Sequence, residues 1–220
     1  MKVIAVIPAY NEAEKISEVV SATKELVDRV IVVNDASQDN TLAICQQFNE
    51  GVTTLSHAVN LGQGAALKTG CEAAWMIGAE VVILIDGDSQ HDPSEIPFFI
   101  EKLKQGYEVV FGVRRINNEM PFVKRFGNLF LTKATYKLFG VNLSDVQCGY
   151  RIFSQPGYKK IEWDSIGYPY AIEMVVNAGK NKANYDELLT KTIYHDNYKG
   201  TTLFDGIKIF IKMLSWKINK

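Results

Sequence analysis

Four short strand-like runs, at residues 2–7, 29–33, 52–55 and 81–85, alternate with stretches whose apolar residues recur at helical spacing. Ile16, Val19, Val20, Thr23, Leu26 and Val27 mark the first such stretch, and Leu42, Ile44, Cys45 and Phe48 the second. An alanine-rich segment reaching about residue 78 marks the third. Parallel strands can be joined only through long crossovers, so this order predicts an α/β fold: a Rossmann-like, mainly parallel central sheet with helices on both faces and right-handed connections.

Each run breaks off into polar residues. Tyr10, Asn11 and Glu12 follow the first, Asp35 the second, Asn60, Gly62 and Gly64 the third. The fourth runs into Asp86-Gly87-Asp88-Ser89-Gln90-His91. In α/β sheets ligands bind at the carboxyl ends of the strands, and tips ~4.8 Å apart can line one cleft. Asp35 suits a base or ribose, and Tyr10 can stack on a ring. Each residue also has a plainer role as a turn former or helix cap. Their shared sheet edge favours the cleft.

Asp86 and Asp88 point the same way from an extended chain, and carboxylates that close repel unless a cation lies between them. The pair therefore points to a hard divalent metal bridging to phosphate oxygens. A Walker lysine motif is missing, and Gly62-Gln63-Gly64 is not a dinucleotide fingerprint. Phosphates must then be met by metal and side chains, with Arg114, Arg115, Lys124, Arg125 and Arg151 as candidates.

Beyond residue 91 the alternation loosens. The pattern predicts helices at about 92–105, 122–139 and 169–178, strands at 108–112 and 188–195, an extended segment at 149–153 and a loop at 114–121. The terminal stretch, 202–220, is helical, with an apolar arc wider than a solvent-facing helix needs and Lys208, Lys212, Lys217 and Lys220 among it. It suits docking on the domain or a membrane interface.

The 220 residues carry a net charge of −1, which excludes a globally basic nucleic-acid binder. Three widely spaced cysteines without a CxxC support neither a disulfide framework nor a zinc knuckle, and a reducing cytoplasm is expected. No run approaches the ~18–20 apolar residues needed to span a bilayer. Peripheral membrane contact or recruitment by a membrane partner remains open.

Pro8-Ala9-Tyr10-Asn11-Glu12, the loop 34–41, Asn60-Leu61-Gly62-Gln63-Gly64, Asp86-Gly87-Asp88-Ser89-Gln90-His91 and Cys148-Gly149-Tyr150-Arg151 occur in the order seen in family 2 glycosyltransferases. Over roughly residues 1–200 the chain resembles dolichyl-phosphate mannose synthases and polyprenyl-phosphate hexosyltransferases. The resemblance implies a GT-A catalytic domain at 1–200, followed by the helix at 201–220. It implies inverting transfer of a hexose from a GDP-mannose or UDP-glucose type donor to a polyprenyl or dolichyl phosphate.

It also implies roles. Asp86, Asp88 and Gln90 would hold Mg²⁺ or Mn²⁺, and Pro8, Tyr10, Asn11, Glu12, Asp35, Gly87, Arg114 and Arg151 would complete the nucleotide-sugar site. Lys124, Arg125 and Asn128 would hold the acceptor phosphate, with Asp88, Arg114 and Lys124 carrying catalysis. Asn34 stands where a second acid is common. After the last strand, 195–202 holds one lysine where mannose synthases carry several arginines.

Three other readings compete. A saccharide hydroxyl acceptor would need a carboxylate base, for which Glu173 or Asp145 are candidates, although Glu173 also reads as a helix-surface acid. A phosphohydrolase would use Asp86 as nucleophile and Asp88 as acid, but such enzymes usually place the pair on their first strand. A non-catalytic sugar-nucleotide-binding subunit would tolerate loss of the metal residues, and all three are present.

Overall fold

The computed structural model describes residues 1–114, 122–191 and 203–218, with side chains throughout except at 122–124 and 203–205. Arg115, the side chain of Lys124 and the segment 195–202 therefore lie outside the described residues.

Among the described residues seven strands form one sheet: β1 (Val3–Ala9), β2 (Arg29–Asn34), β3 (Val52–Ser56), β4 (Val81–Leu84), β5 (Val109–Arg114), β6 (Arg151–Ser154) and β7 (Tyr185–Thr190). Their spatial order is β3-β2-β1-β4-β6-β5-β7. All pairings are parallel except those of β6, which runs antiparallel to both β4 and β5. The helices are α1 (Ile16–Lys24), α2 (Thr41–Cys45), α3 (Gln63–Met76), α4 (Ile96–Lys104), α5 (Phe122–Phe139), α6 (Gln155–Ile161), α7 (Tyr170–Lys180) and α8 (Leu203–Ile218).

The period-two alternation of β1 divides the core. Ile4 and Val6 join the layer under α3, α5, α6, α7 and α8, while Val3, Ala5 and Ile7 face α1, α2 and α4. Burial on both faces explains why these strands read as unbroken apolar runs.

Pro8 sits in a central strand, a place that normally demands an N–H. The Val6 carbonyl accepts from Ile85 N, so Pro8, two residues on, faces the same side just past the end of β4. No strand neighbour there needs the missing donor. Ala9 faces β2 instead, and its carbonyl accepts from Asp35 N at 2.8 Å.

Three expectations change. The last strand begins at Tyr185, opposite Val109 of β5, rather than at 188, and runs to Thr190, while residues 192–195 of the expected span lie outside the described residues. The segment 93–95 forms a 3₁₀ turn before α4, with Asp92 accepting from Ser94 N. α6 follows β6 directly, capped by Ser154 with Pro156 in its first turn. The terminal helix is docked: Ile209 and Met213 are buried in the core, and Phe210 and Trp216 pack beside them.

Candidate active site

The carboxyl ends of β1, β2, β3 and β4 carry the loops 10–15, 35–40, 57–62 and 86–92. The first two are laced together. Asn11, held at φ 53°, donates through its backbone to Ser37 Oγ and accepts from Gln38 N at 2.8 Å. Glu12 N donates to Thr41 Oγ1, and Ala13 N to Asp39, whose carboxyl also accepts from Thr41. Burial pushes the Asp39 carboxyl up, but these hydrogen bonds outweigh it and hold it below its ordinary value. Tyr10 projects from this rim, 41 % exposed.

Asp35 is buried and clasps the third loop. It accepts from Leu61 N and Gly62 N, and its Oδ1 lies 2.7 Å from His57 Nδ1. The other imidazole nitrogen meets Thr69 Oγ1 at 3.0 Å. Asn34 donates through Nδ2 to Ser56 Oγ and accepts from Ser37 N, so both ends of the amide are used at this junction.

Asp86 stands just beyond β4. Gln63 Nε2 donates to its carboxylate at 2.7 Å, and its backbone N–H donates to His91 Nδ1 at 3.3 Å. Burial lowers the His91 pKa to about 4, so the ring is neutral and the 3.7 Å approach to the Asp86 carboxylate is no ion pair. The ring stacks on Tyr150, 4.9 Å between centroids. Gly149 lies against the other side of Asp86: a Cβ there would meet Oδ2 at 2.8 Å. Asp88 accepts from Gln90 through both its backbone N–H and its side-chain amide.

The donor set fits a hard divalent cation. Burial, opposed by Arg114, Gln63 and Arg151, leaves the Asp86 pKa at about 6, and burial together with the Asp86 charge raises that of Asp88. Asp88 resists ionisation on account of Asp86, and a cation between two such carboxylates relieves that cost. Because the Gln90 nitrogen is spent on Asp88, its amide oxygen is the atom it has for a metal. Asp86, Asp88 and Gln90 would therefore hold it.

Across the sheet, Arg114 closes on Asp145, with Nε 2.6 Å from Oδ2 and Nη2 3.2 Å from Oδ1. Asp145 also accepts from Asn128 Nδ2 and Gln147 N. Burial raises the Asp145 carboxyl, but Arg114 and the hydrogen bonds outweigh it and hold it low. Asn128 is buried with its oxygen accepting from Thr132, so it braces Asp145 from α5.

Arg151 does not reach the cleft. It is 1 % exposed and donates to the carbonyls of Cys148, Ala171 and Val146, while its guanidinium lies over the Phe111 ring. Its charge still favours ionised Asp86 from behind. Glu173 is buried rather than a surface acid, accepting from Asp164 N, Ser165 N and Ser165 Oγ. The three cysteines are free and buried.

Residues 4–162 match Glycosyl transferase family 2. The chain belongs to this family. A relative from Methanococcus voltae named UDP-N-acetylglucosamine–dolichyl-phosphate N-acetylglucosaminyltransferase is 33 % identical, covering 98 % of this chain and 96 % of the relative. An uncharacterized protein of Methanocaldococcus jannaschii is 35 % identical over 99 % of this chain and 93 % of its own length. An undecaprenyl-phosphate 4-deoxy-4-formamido-L-arabinose transferase of Pseudomonas savastanoi is 34 % identical over 67 % of this chain and 46 % of that protein. Glucosyl-3-phosphoglycerate synthase from Mycobacterium tuberculosis, solved with Mg²⁺ and UDP, superposes with a TM-score of 0.75 at 19 % identity, covering 99 % of this chain and 79 % of that one. The fold is thus GT-A.

In this glycosyltransferase the sequence reading missed the residues that hold Asp86: Gln63, His91 and Gly149. Gln63 was visible between two glycines, but those glycines read as a loop and not as a docking surface. A Cβ on Gly62 would meet Ile166 O at 2.6 Å, and one on Gly64 would meet Ser165 O at 2.2 Å. The turn is pressed against 163–167, where Trp163 Nε1 donates to Gly64 O and Ala65 N to Ile166 O. Gly64→Ala is expected to cost about 1–3 kcal/mol through overpacking, read as a lowered urea midpoint. An unchanged midpoint would show that the backbones can part freely.

Proposed function

We propose that this glycosyltransferase moves a sugar from a uridine-type nucleotide sugar to a polyprenyl or dolichyl phosphate, with inversion and with Mg²⁺ or Mn²⁺. One observation carries the acceptor: the two carboxylates considered as a base for a hydroxyl are both committed. Asp145 is clamped by Arg114 and Asn128, and Glu173 by the 164–165 backbone. A lipid phosphate is already an anion at neutral pH and needs no base. The near-full-length likeness to an enzyme named for UDP-N-acetylglucosamine and dolichyl phosphate supports the same pairing, and moves the donor away from GDP-mannose.

Bound at Asp86, Asp88 and Gln90, the metal would supply neutralisation of the charge that grows on the departing nucleoside diphosphate. Gln63 and His91 fix the Asp86 main chain and carboxylate, so little reorganisation is left for the reaction. Tyr10 offers its exposed ring to the base, beside Pro8, Asn11 and Glu12, while Asp35 holds the 57–62 loop that walls the nucleoside. Arg114 adds positive charge next to Asp86. Lys124 and Arg125, in the first turn of α5, serve the acceptor phosphate. Catalysis would lie within residues 1–200, with α8 holding the enzyme peripherally at the cytoplasmic face of a membrane.

Purified protein with Mn²⁺ and a short polyprenyl phosphate is expected to yield lipid-linked sugar from UDP-N-acetylglucosamine or UDP-glucose, and none after EDTA. No lipid product from any donor, or product only on a saccharide acceptor, would overturn the reading.

A further inference from the structure

The helix α8 is apolar on two sides. Ile209 and Met213 are buried in the core, yet Ile207, Ile211, Leu214 and Ile218, spaced four, three and four apart, form a second stripe that is 39–80 % exposed. Lys208 and Lys217 are exposed on its two shoulders. Beside it, α5 exposes Phe126, Leu129 and Phe130 on one face, and Phe130 meets Phe210 of α8 with 5.1 Å between ring centroids. The two stripes are therefore neighbours on one surface. Among the described residues no helix is long and apolar enough to cross a membrane.

Charge is segregated with the apolar residues. The sequences of α5 and α8 together hold seven lysines and arginines against one acid, Asp205, whereas the rest of the chain holds 17 basic residues against 24 acidic ones. A surface of isoleucine, leucine and phenylalanine edged by lysine complements the acyl boundary and phosphate headgroups of an anionic bilayer.

We propose that the α5–α8 face is a lipid-docking platform that seats this enzyme on an anionic membrane surface. Resting on the lipid-phosphate acceptor reading, it places the platform next to the site, since Asn128 on the inner side of α5 holds Asp145 and Asp145 holds Arg114. An acceptor whose tail stays in the bilayer under α5 would present its phosphate at the adjoining cleft.

Sedimentation with vesicles of phosphatidylcholine and phosphatidylglycerol, without substrate, tests the platform. The full chain is expected to bind, to release as salt rises, and to bind pure phosphatidylcholine at least tenfold more weakly. Ile207→Glu/Ile211→Glu on α8 and Phe126→Glu on α5 are each expected to lower vesicle binding at least tenfold, while transfer to a short water-soluble polyprenyl phosphate is unchanged. No vesicle binding by the natural chain, or binding indifferent to these substitutions, would overturn the proposal, as would a dimer in light scattering that the same substitutions dissociate. Loss of docking with transfer to the soluble acceptor intact would leave the acceptor reading standing. Vesicle binding without transfer would strike that reading alone.

Discussion

Asp86→Asn is expected to lower transfer at least about a hundredfold while raising the melting temperature of the metal-free protein. Both effects come from one carboxylate. Burial, with a smaller push from Glu12, raises its folded pKa to about 6 against the pull of Arg114, Gln63 and Arg151, above the ordinary value near 3.8. An acid shifted that way contributes stability below its unfolded pKa and loses it as pH rises through about 6. At neutral pH the ionised group therefore costs the metal-free protein on the order of 3 kcal/mol, which an amide does not. The Asn oxygen still accepts from Gln63, so the loop keeps its anchor. Scanning fluorimetry with and without Mn²⁺ and UDP checks the stability effect: the natural protein should gain melting temperature on adding both, and the variant little. Full activity in Asp86→Asn would remove the diphosphate clamp from the mechanism.

Asp145→Asn should be the most destabilising of these single changes. The Asp145 side chain is fully buried, and it accepts from Arg114, Asn128 and Gln147. The variant would remove the carboxylate that meets Arg114, whose side chain is only 12 % exposed, and would turn an amide nitrogen toward donors. Breaking such a pair costs about 3–5 kcal/mol. For a chain of this length that lowers the melting temperature by roughly 10 °C. Because the folded carboxyl is held below its ordinary value, its stabilisation is complete above about pH 4 and fades only as pH falls through the lowered folded pKa. Urea midpoints for the two proteins should therefore differ by a constant amount from pH 8 to 5 and converge only in stronger acid. A difference under about 1 kcal/mol at pH 7 would mean that the Arg114–Asp145 pair contributes little to stability.

These expectations differ in how far the sequence could have led to them. The Asp86 and Asp88 pair was legible because a buried strand ending in two acids leaves few chemical options. Asp145 was legible only as a carboxylate. Its partners lie 17 and 31 residues away, and no local pattern joins them. Arg151 shows the same limit from the other side: a guanidinium in a motif reads as a phosphate ligand until three carbonyls are found around it. Glu173 read as a surface acid because helical spacing alone does not reveal that 163–165 folds over it. α6 escaped detection because seven residues with a proline and a glycine show less than two turns of periodicity.

The sequence alone determined the α/β class, the first four strands with their polar tips, the acidic pair and the doubly apolar terminal helix, since each is written in contiguous residues through burial and period. Tertiary structure decided the antiparallel direction of β6, the sheet order, and which charged groups face the cleft or brace it from within. Those depend on contacts between distant segments, where one extended run reads the same in either direction and one charge the same on either side of a wall.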